Sequence, residues 1–252
     1  MKHILKFFTP TVILFFLLVA SAFSQKAEEI VRKMDKNMRG ETIIVDMEME
    51  IIRPRFKRTI GIKSWGKGQD YALILITAPA RDKGTTYLKR KKEIWNWVPS
   101  IERTIKLPPS MMSQSWMGSD FTNDDLVKES SILDDYNHHL LREEKIRDID
   151  CYLIEMRPKP DAAVVFDKVL LWVSKGSFLE IKAENYDEYG DLVSTINSYD
   201  IKKMDDREIP TRMEMIPADK QGNKTILVYK NMQFNRPMED SFFSVQKMKD
   251  LR

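Results

Sequence analysis

Few side chains in this 252-residue sequence are spaced to make or break bonds. His138 and His139 are adjacent, so on a strand they point to opposite faces and cannot jointly hold a metal ion. Asp134 and Asp135 stand nearby, but the group has no metal-ligand spacing, and it reads as a polar turn leading into a strand. The single cysteine, Cys151, opens the apolar run Tyr152-Leu153-Ile154. It reads as a buried thiol rather than a nucleophile, and it has no partner for an internal disulfide. No serine sits in a nucleophile motif, and no two carboxylates are spaced as an acid–base pair. These residues predict no enzyme, no metal and no cofactor.

The chemistry that the sequence does offer is apolar. Pro108 to Leu126 interrupts a chain that otherwise reads as strand after strand. Two prolines stop the preceding strand. Met111, Met112, Trp116, Met117 and Phe121 then appear where a surface loop would be polar. A loop of this length in a compact domain is a binding loop, a lid or a disordered segment, and its apolar content argues against disorder. Two readings stand side by side: these residues touch an apolar ligand, or they plug one end of a sheet. Fifteen methionines favour an adaptable apolar surface, because a thioether side chain fits variable shapes. Met47 and Met49 lie on the apolar face of the first strand and are candidates for the same wall.

The elements that position these residues follow from periodicity. Ala27, Ile30, Val31, Met34 and Met38 fall at spacings of three and four, which predicts a helix over Gln25 to Arg39, stopped by Gly40. Ile43, Val45, Met47, Met49 and Ile51 then alternate with a wetter set, which predicts a half-buried strand. Short strands separated by glycine turns continue to Phe234 and predict an antiparallel meander that must curl or split. Within the interrupting segment Thr122 and Asp125 have the spacing of a capping box, and Asp124 and Asp125 suit a helix N-terminus. A short helix is expected there, with Leu126 facing inward.

The N-terminus predicts the compartment. Lys2 and Lys6 precede an almost wholly apolar run from Phe7 to Ala20, and small residues follow through Ser24. This is the pattern of a secretory signal peptide over residues 1–24, cleaved after Ala22 or, preferably, Ser24. The run is shorter than the ~20 apolar residues of a spanning helix. Two of the formal +3 charges belong to Lys2 and Lys6, which leaves +1 for residues 25–252. No basic stripe interleaved with aromatics calls for nucleic acid. The exported part is expected to be one soluble domain and a monomer. Lys89-Arg90-Lys91-Lys92 reads as a solvated hairpin end.

Lys83-Gly84-Thr85, Trp95-Asn96-Trp97-Val98-Pro99, Arg103, Met117-Gly118-Ser119-Asp120-Phe121 and Asp125-Leu126 occur in an order and spacing that resembles the outer-membrane lipoprotein-sorting proteins, a LolA-like family. The resemblance runs from the first helix to Pro237 and Phe242-Phe243. It implies an α+β fold: a curled, incompletely closed antiparallel β-barrel with an N-terminal helix and a short helical lid. It also implies a periplasmic carrier that holds acyl chains of lipoproteins or other lipids in an apolar cavity. An inner-membrane transporter and an outer-membrane acceptor would be its partners. On this reading Met47, Met49, Trp95, Trp97, Met112, Trp116, Met117 and Phe121 line the cavity or lid, Gly118 permits a tight turn, and Asp120 or Arg103 latches the lid. Family members latch the lid through a strand arginine; Arg53 and Arg55 flank Pro54 in the corresponding region without either being singled out. The alternative is an RseB-like sensor acting on a membrane partner.

Overall fold

A computed structural model describes residues 25–127 and 131–251. The expected signal peptide, residues 1–24, lies outside the described residues. Helix α1 spans residues 25–39. Its apolar stripe is buried, and Glu29–Lys33 and Asp35–Arg39 ion pairs lie one turn apart along it. Gly40 ends α1 with φ +63°, a left-handed conformation in which an added Cβ would stand 2.8 Å from the Asn235 side chain. Its N–H closes the last turn on the Lys36 carbonyl at 2.9 Å.

The rest of the chain is mostly strand. On one side lie β1 (Thr42–Arg53), β2 (Phe56–Lys67), β3 (Tyr71–Ala78), β4 (Thr86–Arg90), β5 (Glu93–Val98) and β6 (Arg103–Leu107). After the interruption, which contains the short helix α2 (Asn123–Val127), come β7 (Tyr136–Ile146), β8 (Ile149–Pro158) and β9 (Lys168–Ser174). Next are β10 (Glu180–Tyr186), β11 (Leu192–Met204), β12 (Arg207–Pro217) and β13 (Lys224–Phe234). Helix α3 (Val245–Asp250) ends the described chain.

All thirteen strands form one antiparallel sheet in the order β6-β5-β4-β3-β2-β1-β13-β12-β11-β10-β9-β8-β7. Two meanders are therefore joined by the β1–β13 pair, with Met49 opposite Leu227. The edges β6 and β7 are not paired with each other, so the curled sheet is an incompletely closed barrel. A sheet this wide must bury its concave face on something. The interrupting segment covers β1–β5 and β12–β13, and α1 covers β7–β10. Ile196 of β11 packs against both groups and makes the inner core continuous.

The convex face is partly covered as well. Phe243 and Met248 pack on Leu73 and Leu88, with Trp65, Trp95 and Trp97 at the margin. The six-residue helix α3 was not foreseen from the sequence. Its cap is Ser244, whose hydroxyl accepts from the Lys247 N–H at 3.2 Å. β12 begins at Arg207 and contains Pro210, which sits opposite Ile201 of β11.

Candidate functional site

The segment between β6 and β7 is a compact lid built largely from its own backbone. Pro109–Met111 form a single 3₁₀ turn. Ser115 and Thr122 then bridge, Trp116 N–H donates to the Phe121 carbonyl at 2.8 Å, and a miniature hairpin results. Its tip is Met117 and Gly118, both left-handed at φ 52° and 79°. Glycine takes this conformation freely, whereas methionine does so at some cost. Asn123 N–H returns to Gln114 O at 2.8 Å and its side chain donates to Met111 O at 2.8 Å, tying the two arms together. The capping box forms as its spacing implies. The Asp125 carboxylate accepts from Thr122 N–H at 2.7 Å, and the Thr122 hydroxyl accepts from Asp125 N–H at 3.1 Å.

This scaffold aims apolar side chains at the concave sheet. Trp116 is fully buried, and Phe121 and Met112 nearly so. They rest on a floor that includes Met49, Ile51, Ile60, Ile76 and Leu227, with Met47, Met117 and Leu126 half-buried at the margin. The rings of Trp116 and Tyr87 lie 5.4 Å apart. Burial pushes the Tyr87 phenol up to about 12, with the Asp82 charge adding to the effect. The Trp116 indole N–H finds no hydrogen-bond partner among the described residues. The lid's own side chains thus pack directly on the concave sheet.

The lid is held at one end by ions. Asp120, its side chain 3 % exposed, accepts from Arg53 Nη1 at 2.8 Å and from the Thr225 hydroxyl at 2.7 Å. Arg53 Nη2 donates to the Gly118 carbonyl at 2.8 Å. Arg58 donates to the Met117 carbonyl at 3.3 Å and pairs with Asp82 at 2.6 Å. Of the two arginines left open around Pro54, Arg53 is the one on the lid. Arg103 is exposed on β6, and the arginines that reach the lid come from β1 and β2 instead. Nothing in the sequence marked Thr225, which meets Asp120 from 105 residues away.

Six of the eight candidate wall and lid residues, Met47, Met49, Met112, Trp116, Met117 and Phe121, come together. Trp95 and Trp97 do not. β5 presents Ile94 to the lid, so alternation sends both tryptophans to the convex face. There they stand in two clefts that flank α3, of about 590 Å³ around Trp95 and about 380 Å³ around Trp97. Lys106 lies over the Trp95 ring and Lys249 over the Trp97 ring. Among the described residues no group of three or more His, Cys, Asp or Glu side chains could hold a metal. His138 is buried and bonds Ile132 O at 2.7 Å, while His139 faces out. Burial lowers the His138 pKa and raises that of the Cys151 thiol.

A family model described as an "uncharacterized protein"-like family matches residues 68–250. Solved structures share the fold over nearly the whole described chain. A DUF1329-family protein from Desulfovibrio piger superimposes with a TM-score of 0.81 at 24% identity, covering 90% of this chain and 99% of that one. A putative outer-membrane lipoprotein-sorting protein domain from Vibrio parahaemolyticus gives 0.80 at 23% identity, with coverage of 90% and 99%. A LolA-superfamily protein from Nitrosomonas europaea gives 0.76 at 28% identity, with coverage of 88% and 98%. No curated protein matches the chain by sequence.

Proposed function

This chain belongs to the family whose model spans residues 68–250, a LolA-like family, and on that premise we propose that it is an exported, non-enzymatic carrier of acyl chains. Residues 1–24 are then removed as a signal peptide, and residues 25–252 act as one periplasmic domain. The acyl chains of a lipoprotein or another lipid bind between the lid and the concave sheet. An inner-membrane donor and an outer-membrane acceptor load and unload it. Among the described residues no helix is long and apolar enough to cross a membrane.

The observation that carries this reading is the way the lid closes. Trp116, Phe121 and Met112 occupy an apolar floor, yet the end of the lid is fixed by one buried ion pair and a few carbonyl contacts. Burying three such side chains is worth about 5–9 kcal/mol. Each buried CH₂ contributes ~0.8 kcal/mol, so a dozen carbons supply roughly 10 kcal/mol. An acyl chain of ordinary length can therefore replace the lid's side chains at little net cost. The lid acts as a self-ligand that keeps the empty carrier closed and yields to cargo.

The test is direct. Protein purified under mild conditions should carry lipid detectable by native mass spectrometry, and stripped protein should take up a fluorescent fatty acid. Finding neither would refute the carrier reading.

A further inference from the structure

We propose that the basic rim beside the lid is a docking surface for an anionic phospholipid bilayer. Alternate hairpins of the sheet turn at the same end, which is also the end where Arg53 and Arg58 grip the lid. The β1–β2 hairpin projects there. Its pairing with β3 begins only at Gly61 opposite Ala78, so the tip stands beyond β3, while on its other side the turn between β12 and β13 lies against it, a Cβ on Gly222 standing 3.3 Å from the Pro54 ring. At that tip Phe56 is 58% exposed, between exposed Arg55 and Lys57.

The next two turns on this rim continue the pattern. The turn between β3 and β4 carries exposed Arg81 and Lys83, and the turn between β5 and β6 carries Ile101, 56% exposed, close to Arg103. The three turns are contiguous. Arg58 pairs with Asp82, and a Cβ on Gly84 would touch the Pro99 ring at 3.4 Å. The acids facing this patch are Asp82, held by Arg58 and Arg81, exposed Glu102, and Glu50, which pairs with Lys57. The cations exceed them.

Two exposed apolar side chains set among excess cations match the chemistry of a bilayer surface. The phosphates are anionic and the acyl boundary lies just beneath them. The opposite part of the same rim has the reverse charge: Asp187, Glu188 and Asp191 surround exposed Tyr189. Repulsion there would tilt the molecule so that the β1–β2 side meets the membrane. That side is continuous with the lid, so docking brings the entrance of the apolar site to the lipid. The patch rests on exposure and charge alone and does not require the carrier reading.

Vesicle co-sedimentation tests the proposal, using the purified protein with phosphatidylcholine vesicles, with and without about one-third phosphatidylglycerol. At low salt, binding to the anionic vesicles should exceed binding to neutral ones by about tenfold or more, and should fall as salt rises. The double variant Arg55→Glu/Arg81→Glu should lose about tenfold or more in binding, and Phe56→Ser should weaken it severalfold. Both variants should take up a fluorescent fatty acid from solution as the unmodified protein does, which also shows that they fold. Equal binding to both vesicle types, or charge-reversed protein that binds undiminished, would overturn the proposal. So would capture by soluble polyglutamate without vesicle binding, which would point to an acidic protein partner instead. Failure of the unmodified protein both to carry co-purified lipid and to take up the fatty acid would overturn the carrier reading and leave the docking surface standing.

Discussion

Replacing Arg53 by methionine isolates the latch. The substitution keeps an unbranched, largely apolar stem and removes the guanidinium with its charge. It deletes the 2.8 Å bonds to the Asp120 carboxylate and to the Gly118 carbonyl. It leaves Asp120, 3 % exposed, with the Thr225 hydroxyl as the other partner at 2.7 Å. Removing one member of a buried ion pair costs about 3–5 kcal/mol, chiefly because the remaining charge stays uncompensated. That cost is relieved once the lid lifts and water reaches Asp120. The open-lid population should therefore rise by roughly one hundredfold to a few thousandfold, at one decade per 1.4 kcal/mol. Hydrogen exchange read by mass spectrometry checks this on residues 117–122, where the Asp120 N–H donates to the Thr225 hydroxyl at 3.0 Å only while the lid is closed. Exchange there should accelerate by that factor, and exchange in β8–β10 should change far less. Arg58→Met, which loses one 3.3 Å lid contact, should produce a much smaller effect. Unchanged lid exchange in Arg53→Met, or acceleration spread evenly over the sheet, would refute the assignment of Arg53 as a latch.

Three further outcomes follow from the geometry. Trp116→Ala should lower unfolding free energy in urea by about 3–5 kcal/mol, whereas Trp116→Phe should cost far less because it also removes a buried N–H that has no partner among the described residues. His138 is buried with its pKa lowered, so the unfolded chain takes the proton first as pH falls below the ordinary 6.5. Its contribution is complete above that pH and is lost on acidification, and His138→Gln should lose less stability than the unmodified protein between pH 7.5 and 5.5 in denaturant titrations. Cys151, fully buried with a raised thiol pKa, should react with a disulfide reagent about a hundredfold or more slower in the native protein than in denaturant.

Local rules account for what the sequence made legible. The α1 stripe, the Gly40 stop, the alternation in β1 and the Thr122–Asp125 capping box depend on neighbours within a few residues. The segment from Pro108 to Leu126 was conspicuous because its composition contradicts its position between strands. The lid's apolar contacts with Met47 and Met49 followed from placing both on one strand face.

Other features needed the folded chain. β5 offers apolar side chains on both faces, and nothing local says which face meets the lid; the sheet's curl and α3 sent Trp95 and Trp97 outward. Arg53 was distinguished from Arg55 only by the β1–β2 register, and Thr225 was added only by the β1–β13 pairing. The sequence by itself determined the strands, the leading helix and a greasy insertion that needed a cover or a guest. Tertiary structure decided which face that insertion covers and which charges hold it, because long-range register and curvature are set by pairings more than a hundred residues apart, which no local pattern encodes.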